Sequence, residues 1–264
     1  MTASVVQRVT NGQPNGNGSW APSGALGSTP TQGNLLYAVI IQLNSGTSPV
    51  AASGWTVDAS FNSGSTYCTS FYKYAGASES TTQTPTTTTG AAGSIVIWEV
   101  SGTYPIYSAA KLAFATNTFS GGTQYIFGNT TNNKTLVLGA TVGYTAAAPG
   151  VGTASLSHYT LASQYNAVGG TGNVTMQATA GEFFATNAGT SANDTFSYTL
   201  AINTAQIYVQ FLSLPFPPNT LAASKINAWA MTGPPNGVQV VSKITAYTMI
   251  GPPPTGTGWI SVME

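Results

Sequence analysis

Residues that could support nucleophilic catalysis are few in this sequence, and they do not occur together in a catalytic motif. A Ser-His-Asp or Cys-His site would need His158, the only histidine, which begins a predicted strand with no strand-to-helix nucleophile turn near any serine. Cys68 is the only cysteine, which excludes an intramolecular disulfide and a thiolate metal cluster. We therefore predict a surface role for His158 and a small core position for Cys68.

Carboxylates are the second candidates, because glycoside hydrolysis needs two of them across a cleft. The chain has six: Asp58, Glu79, Glu99, Glu182, Asp194 and Glu264. Glu99 stands out because it lies in an otherwise apolar strand, and we predict an inward side chain bonded to backbone or hydroxyl groups. No phosphate loop, His or Cys metal spacing, or acidic calcium loop is found. The sequence thus predicts a non-enzymatic protein without cofactor or metal, with a polysaccharide-degrading enzyme as a minor alternative.

Aromatic side chains on β faces and loops could instead stack on sugar rings. Seven are candidates for such a face: Trp20, Trp55, Tyr72, Tyr74, Tyr104, Tyr107 and Tyr125. For each of them, packing in the core or in a turn is the favoured interpretation.

The composition points to a folded protein with a polar but uncharged surface. Charged residues make up 5% of the chain and cancel to a net charge of zero, against roughly 25% in ordinary soluble domains. A hydrophobic content of 42% is too high for a disordered tail. Since a neutral surface resists association poorly, we infer that partner subunits cover much of it. Six scattered cations cannot neutralise a run of phosphates, so nucleic acid is not expected as a partner.

No targeting or membrane-inserting segment is recognisable. Residues Met1 to Gly12 lack a basic segment followed by an apolar stretch, so a signal peptide is not expected. The longest apolar run, Leu35 to Ile41, is far short of the roughly 20 residues that span a bilayer. We expect synthesis in a cytoplasm.

Short segments rich in Val, Ile, Tyr, Phe and Thr recur between Gly, Ser, Asn and Pro clusters, which is typical of an all-β fold. Predicted strands are Val5 to Val9, Leu35 to Leu43, Trp55 to Phe61, Tyr67 to Ala75, Ser94 to Val100, Lys111 to Ala115, Leu136 to Val142, Thr160 to Tyr165, Val174 to Ala180, Thr195 to Leu200 and Ala205 to Leu214. The segment Ile95 to Val100 is nearly all apolar, which predicts a central strand covered on both faces.

The body shows a weak two-part pattern, with LLYAVII and IVIWEVSG in the first part and TLVLGATV and IYVQFLSL in the second. This pattern fits either a duplication or the two sheets of one sandwich. Because each half alone offers few strands, we predict a single jelly-roll-like two-sheet β-sandwich over residues 1–216.

The strongest internal signal follows the proline-rich break Pro215 to Pro218. The segment SKINAWAMTGPP from Ser224 recurs as SKITAYTMIGPP from Ser242, with eight of twelve positions identical at an offset of eighteen residues. Each copy ends at Gly-Pro-Pro, which stops strand pairing. We predict a small β module over residues 217–264, although a helix is possible for the first copy.

This module needs a partner, because two strands alone are marginally stable in water. In a strand, one face of the two copies carries a lysine, an aromatic residue and a methionine, and Trp259 follows near the end. These types anchor interfaces, so the predicted assembly residues are Lys225, Trp229, Met231, Lys243, Tyr247, Met249 and Trp259.

Several short motifs, in order, resemble a known family. The runs GNLLYAV from Gly33, GWT from Gly54, YKYA from Tyr72 and IWEVSG from Ile97 resemble jelly-roll domains of tailed-bacteriophage structural proteins. The SKINAW-GPP repeat resembles carboxy-terminal repeats in phage virion proteins of this type. The stretch from Gly121 to Leu200 has no such likeness.

The resemblance implies a component of the virion surface and supplies no catalytic residues. It suggests a capsid decoration or head fibre protein, or alternatively a tail fibre or receptor-binding adhesin that recognises a host glycan. Implied partners are the major capsid protein or tail components, and other copies of the chain in a homo-oligomer.

Overall fold

A computed structural model describes residues 2–13, 19–43, 47–63, 66–103, 106–107, 111–129, 135–145, 153–155, 160–169, 174–185 and 191–212. These residues form thirteen strands: β1 (Ser4–Gln13), β2 (Gly24–Ala25), β3 (Leu35–Leu43), β4 (Thr56–Ser63), β5 (Thr66–Tyr74), β6 (Thr82–Gln83), β7 (Ala92–Ser101), β8 (Lys111–Asn129), β9 (Thr135–Thr145), β10 (Thr153–Ser155), β11 (Thr160–Gly169), β12 (Val174–Ala185) and β13 (Ser191–Leu212).

The first half of the chain builds an antiparallel five-stranded sheet in the order β1-β7-β3-β5-β4. β3 and β7 lie inside it, and their apolar runs are buried along almost their whole length. Successive side chains of a strand point to opposite faces, so two separate cores form. Leu35, Tyr37 and Val39 enter one core, and Leu36, Ala38 and Ile40 enter the other. The prediction that Ile95 to Val100 is an interior strand covered on both faces is confirmed.

Connecting segments cover the outer face of this sheet. Trp20, Leu26 and Trp55 pack there on Ile95 and Ile97, and the short pair β2–β6 belongs to the same region. A Cβ on Gly93 would collide with the ring of Trp20 and with the Ile41 carbonyl oxygen, so the indole fits only over a glycine.

The second half builds another antiparallel sheet, in the order β10-β13-β9-β12-β11, with β8 also paired to β13. Its buried residues Leu136, Leu138, Ala178, Ala180 and Phe211 pack in one cluster with the inner face of the first sheet. The two sheets thus share one hydrophobic core, which is the arrangement of a β-sandwich.

The predicted all-β, two-sheet sandwich is therefore confirmed, and the two-part pattern in the sequence corresponds to its two sheets. LLYAVII is β3 of the first sheet, and TLVLGATV lies in β9 of the second. Every strand of the first sheet precedes every strand of the second in the chain.

The largest differences from the predicted strands lie in β8 and β13. We predicted a strand that stops at Ala115, but β8 continues to Asn129 through Gly121 and Gly122. The separate strands Thr195 to Leu200 and Ala205 to Leu214 are one strand, β13. Each long strand supplies a hydrogen-bonding partner for the other, which overrides the weak local propensity of Thr, Asn and Gly. A register shift between Ser197 and Ile202 lies close to residues 201–204, which separated the two predicted strands.

The boundary predicted at residues 216 and 217 and the whole module 217–264 lie outside the described residues, so both stay predictions. The described residues belong to one unit, Thr2–Ser213. Within them, no helix has the length and apolarity to cross a membrane.

Candidate functional site

The seven predicted assembly residues, Lys225, Trp229, Met231, Lys243, Tyr247, Met249 and Trp259, lie outside the described residues, as does His158. Their roles stay predictions. The described residues hold four other polar clusters, each built around one carboxylate.

Glu99 lies in β7, fully buried, and is surrounded by donors. Its Oε1 accepts from the Thr31 backbone N–H at 2.8 Å and from Asn34 Nδ2 at 2.5 Å. Its Oε2 accepts from Gln7 Nε2 at 2.6 Å, and Gln7 continues to the Ser28 backbone. The predicted inward Glu is confirmed, with amides rather than hydroxyls as side-chain partners. These hydrogen bonds hold residues 28–34 against the sheet.

Asp58 lies in β4, and its carboxylate accepts hydrogen bonds from three hydroxyl groups. Tyr107 donates to its Oδ2 at 2.8 Å and Tyr37 at 3.0 Å, and Ser70 is at 3.4 Å. Burial, followed by the nearby Asp58 charge, raises the pKa of Tyr37, and burial also raises the pKa of Tyr107. Both phenols therefore stay protonated near neutral pH and act as hydrogen-bond donors.

Aromatic rings enclose this carboxylate. Tyr72 stacks on Tyr107 with ring centroids 3.8 Å apart. Phe211 of the second sheet meets Tyr37 edge to face at 5.7 Å. Such ring pairs add to the stabilisation from buried area. The cluster therefore joins β4, β5, the segment around Tyr107 and the second sheet.

Glu79 forms an ion pair with Lys73, with 2.7 Å between Nζ and Oε1. Burial alone would raise the pKa of Glu79, but hydrogen bonds from Lys73, the Gly76 N–H and Gln83, with the Lys73 charge, hold it below its usual value. The Lys73 ammonium also lies 4.8 Å from the centroid of the Trp55 ring, which is cation–π geometry.

Glu182 of β12 meets Arg8 of β1, with 3.0 Å between Oε1 and Nε. The pair connects the two sheets. Burial raises the pKa of Glu182, against the opposing effect of the Arg8 charge.

These four carboxylates therefore bind separate sets of protein donors. In the part of the chain that the structure describes, no group of three or more His, Cys, Asp or Glu side chains comes together as a metal site. The side chain of Asp194 and Glu264 lie outside that part. In three of these clusters hydrogen bonds tie segments together, whereas the Arg8–Glu182 contact is an ion pair.

The aromatic residues considered for sugar stacking are largely interior. Trp20, Trp55 and Tyr107 are buried, which confirms the core interpretation for them. Tyr72 and Tyr74 are half-buried, while Tyr104 and the side chain of Tyr125 lie outside the described residues.

The sequence interpretation missed the Asp58 cluster, although one signal was present. Tyr37 places a phenol hydroxyl inside the apolar run Leu35 to Ile41, and a buried hydroxyl needs a partner. The partner, Asp58, is twenty-one residues away in the chain, and its position follows only from strand order.

Comparisons of the chain with protein-family models, curated proteins and solved structures found no match.

Proposed function

We propose that this protein is a non-enzymatic structural component of a tailed-bacteriophage virion. In this proposal it is a capsid-surface decoration or head fibre protein that oligomerises and docks on the particle. The observation that carries the proposal is the tandem repeat, eight of twelve positions identical between residues 224–235 and 242–253. A repeat of that size needs a partner to bury its apolar face.

The described body supports a passive role. Glu99, Glu79, Glu182 and Asp58 are engaged by protein groups, so these side chains stabilise the sandwich. In this proposal the sandwich is the part exposed on the particle, and the repeat module of residues 217–264 makes the attachment. The low charge also fits a surface partly covered by neighbouring subunits.

A tail fibre adhesin that binds a host glycan is the second candidate. Of the described candidates, the half-buried Tyr74 favours it most, because a partly exposed ring can stack on a sugar and Tyr72 already stacks on Tyr107. This candidate requires few copies per particle, whereas a decoration protein requires many.

Truncation tests the role of the repeat. A variant that lacks residues 220–264 should lose binding to particles made without the protein, and its oligomer mass should fall, as measured by co-sedimentation and light scattering. A full-length variant that combines Trp229→Ala and Tyr247→Ala tests the predicted aromatic face without shortening the chain. It should bind particles more weakly than the wild type if that face makes the contact. Unchanged particle binding and mass in the truncated protein would refute the assembly role of the repeat.

A further inference from the structure

The pairing register differs between the interior and the edges of both sheets. Four pairs consist of two interior strands each: β3–β5, β3–β7, β9–β12 and β9–β13. Their pairing register has no shift. The pairs that add the long outer strands, β1–β7, β4–β5, β11–β12 and β8–β13, each contain a register shift. In the described strands, every register shift thus lies in a pair that includes an outer strand.

Most of these shifts are bulges of a single residue on the outer strand. The extra residue is Val6 in β1, Asp58 in β4 and Ala162 in β11. Leu112 is the extra residue near the start of β8. A bulge bends and twists its strand and interrupts its ladder of hydrogen-bonding groups, so another strand cannot pair along it in continuous register.

The bulge in β4 also turns a charge inward. Asp58 is bound by the hydroxyls of Tyr37 and Tyr107, which holds the bulge in place. Without Asp58 the strand would read Thr-Val-Ala-Ser-Phe-Asn-Ser, a segment with neither charge nor proline. Low charge and the absence of proline are two of the features that favour edge-to-edge association of strands.

The protein has little charge with which to protect these edges. Charged side chains are 5% of the chain and the net charge is zero, whereas many proteins place lysines along exposed edge strands. Bulges and inward-pointing charges are among the other means of blocking strand addition.

We propose that the one-residue bulges at Val6 and Asp58 are devices that close both edges of the five-stranded sheet to strand addition from a second copy. This inference is independent of a location on a virion. It implies that copies of the protein associate through other surfaces.

Deletion of Asp58 is the first test, compared with Asp58→Ala in the full chain. Both variants lose the tyrosine hydrogen bonds, but only the deletion makes β4 regular. We expect the deletion to produce larger species in sedimentation velocity, with slowed hydrogen exchange in β4, while Asp58→Ala keeps the wild-type distribution.

Deletion of Val6 is the second test, with Val6→Ala as its control. The Val6 side chain is 47% exposed and cannot form hydrogen bonds, so its removal regularises β1 with little loss of packing. Wild-type sedimentation of a folded deletion variant would overturn the proposal for that edge. Unfolding of both deletions, with both alanine controls folded, would also overturn it, since the bulges would then serve folding instead.

Discussion

Single buried or half-buried polar side chains connect segments that are far apart in the chain. Glu99 joins β7 to Gln7, Thr31 and Asn34, and Asp58 joins β4 to Tyr37 and Tyr107. A charged acceptor that receives several short hydrogen bonds stabilises more than a neutral one. Removal of one partner leaves the others unsatisfied.

The substitution Glu99→Gln should therefore be strongly destabilising. It replaces one acceptor oxygen by an NH₂ group that faces existing donors, since Asn34, Gln7 and the Thr31 N–H all donate to this carboxylate. We expect the free energy of unfolding in urea titrations to fall by about 3 kcal/mol. The control Glu79→Gln weakens the ion pair of a carboxylate that is still partly exposed and should cost less, about 1.5 kcal/mol. Equal losses in the two variants would contradict the bonding assigned to Glu99.

The tyrosines beside Asp58 should make the protein sensitive to alkaline pH. Because the pKa of both Tyr37 and Tyr107 in the folded protein is raised above 10.0, their stabilising contribution is fully present below pH 10. As the pH rises above 10 the unfolded chain releases these protons more readily, so the free energy of unfolding falls. Urea titrations at several pH values between 8 and 11, with tyrosinate absorbance, would measure this.

The variant Tyr107→Phe serves as the control for this pH effect. It should be less stable at neutral pH and lose less stability between pH 9 and 11 than the wild type. An unchanged alkaline slope would show that Tyr107 titrates normally.

At this scale the sequence predicted some features and not others. The inward Glu99 was predictable because its neighbours in the strand are apolar. Asp58 lies in a mixed segment, and its three hydroxyl partners come from β3, β5 and the segment around Tyr107. No local pattern encodes that convergence.

At the scale of elements, packing against a partner decides where strands end. β3 was predicted with its observed bounds because the apolar run Leu35 to Ile41 begins sharply and Leu43 continues it beyond Gln42. β8 and β13 extend beyond their predicted bounds because each pairs with the other along most of its length. Local propensity cannot indicate a strand whose main support is its neighbour.

The close packing of the Trp20 ring on Gly93 of β7 predicts that a larger residue at position 93 destabilises the protein. Gly93→Ala places a methyl group against the indole ring and the Ile41 carbonyl oxygen. We expect a loss of at least about 2 kcal/mol in the free energy of unfolding, because the backbone or the ring must move. Altered tryptophan fluorescence should accompany it.

Gly27→Ala is the matched control, since the nearest atom to its new Cβ, Gln7 Oε1, would be 3.8 Å away. We expect a change of about 0.5 kcal/mol or less. If Gly93→Ala changed the free energy of unfolding as little as Gly27→Ala, Trp20 would not pack closely on β7.

For the whole molecule, the two sheets share one core, and the Arg8–Glu182 ion pair also joins them. The number and type of layers could be predicted, because strand-like segments recur from β1 to β13. Which strands neighbour each other could not, since antiparallel pairing is determined by long-range packing. The proposal for function rests instead on the repeat of residues 224–235 and 242–253.

Localisation of the chain on intact particles is the most direct test of a virion-surface role. An electron-microscopy reconstruction, compared with particles that lack the protein, should show difference density in many copies on the outer face of the head. Density confined to the tail tip would contradict the decoration proposal and support the adhesin. Absence of the chain from purified particles would contradict the virion role altogether.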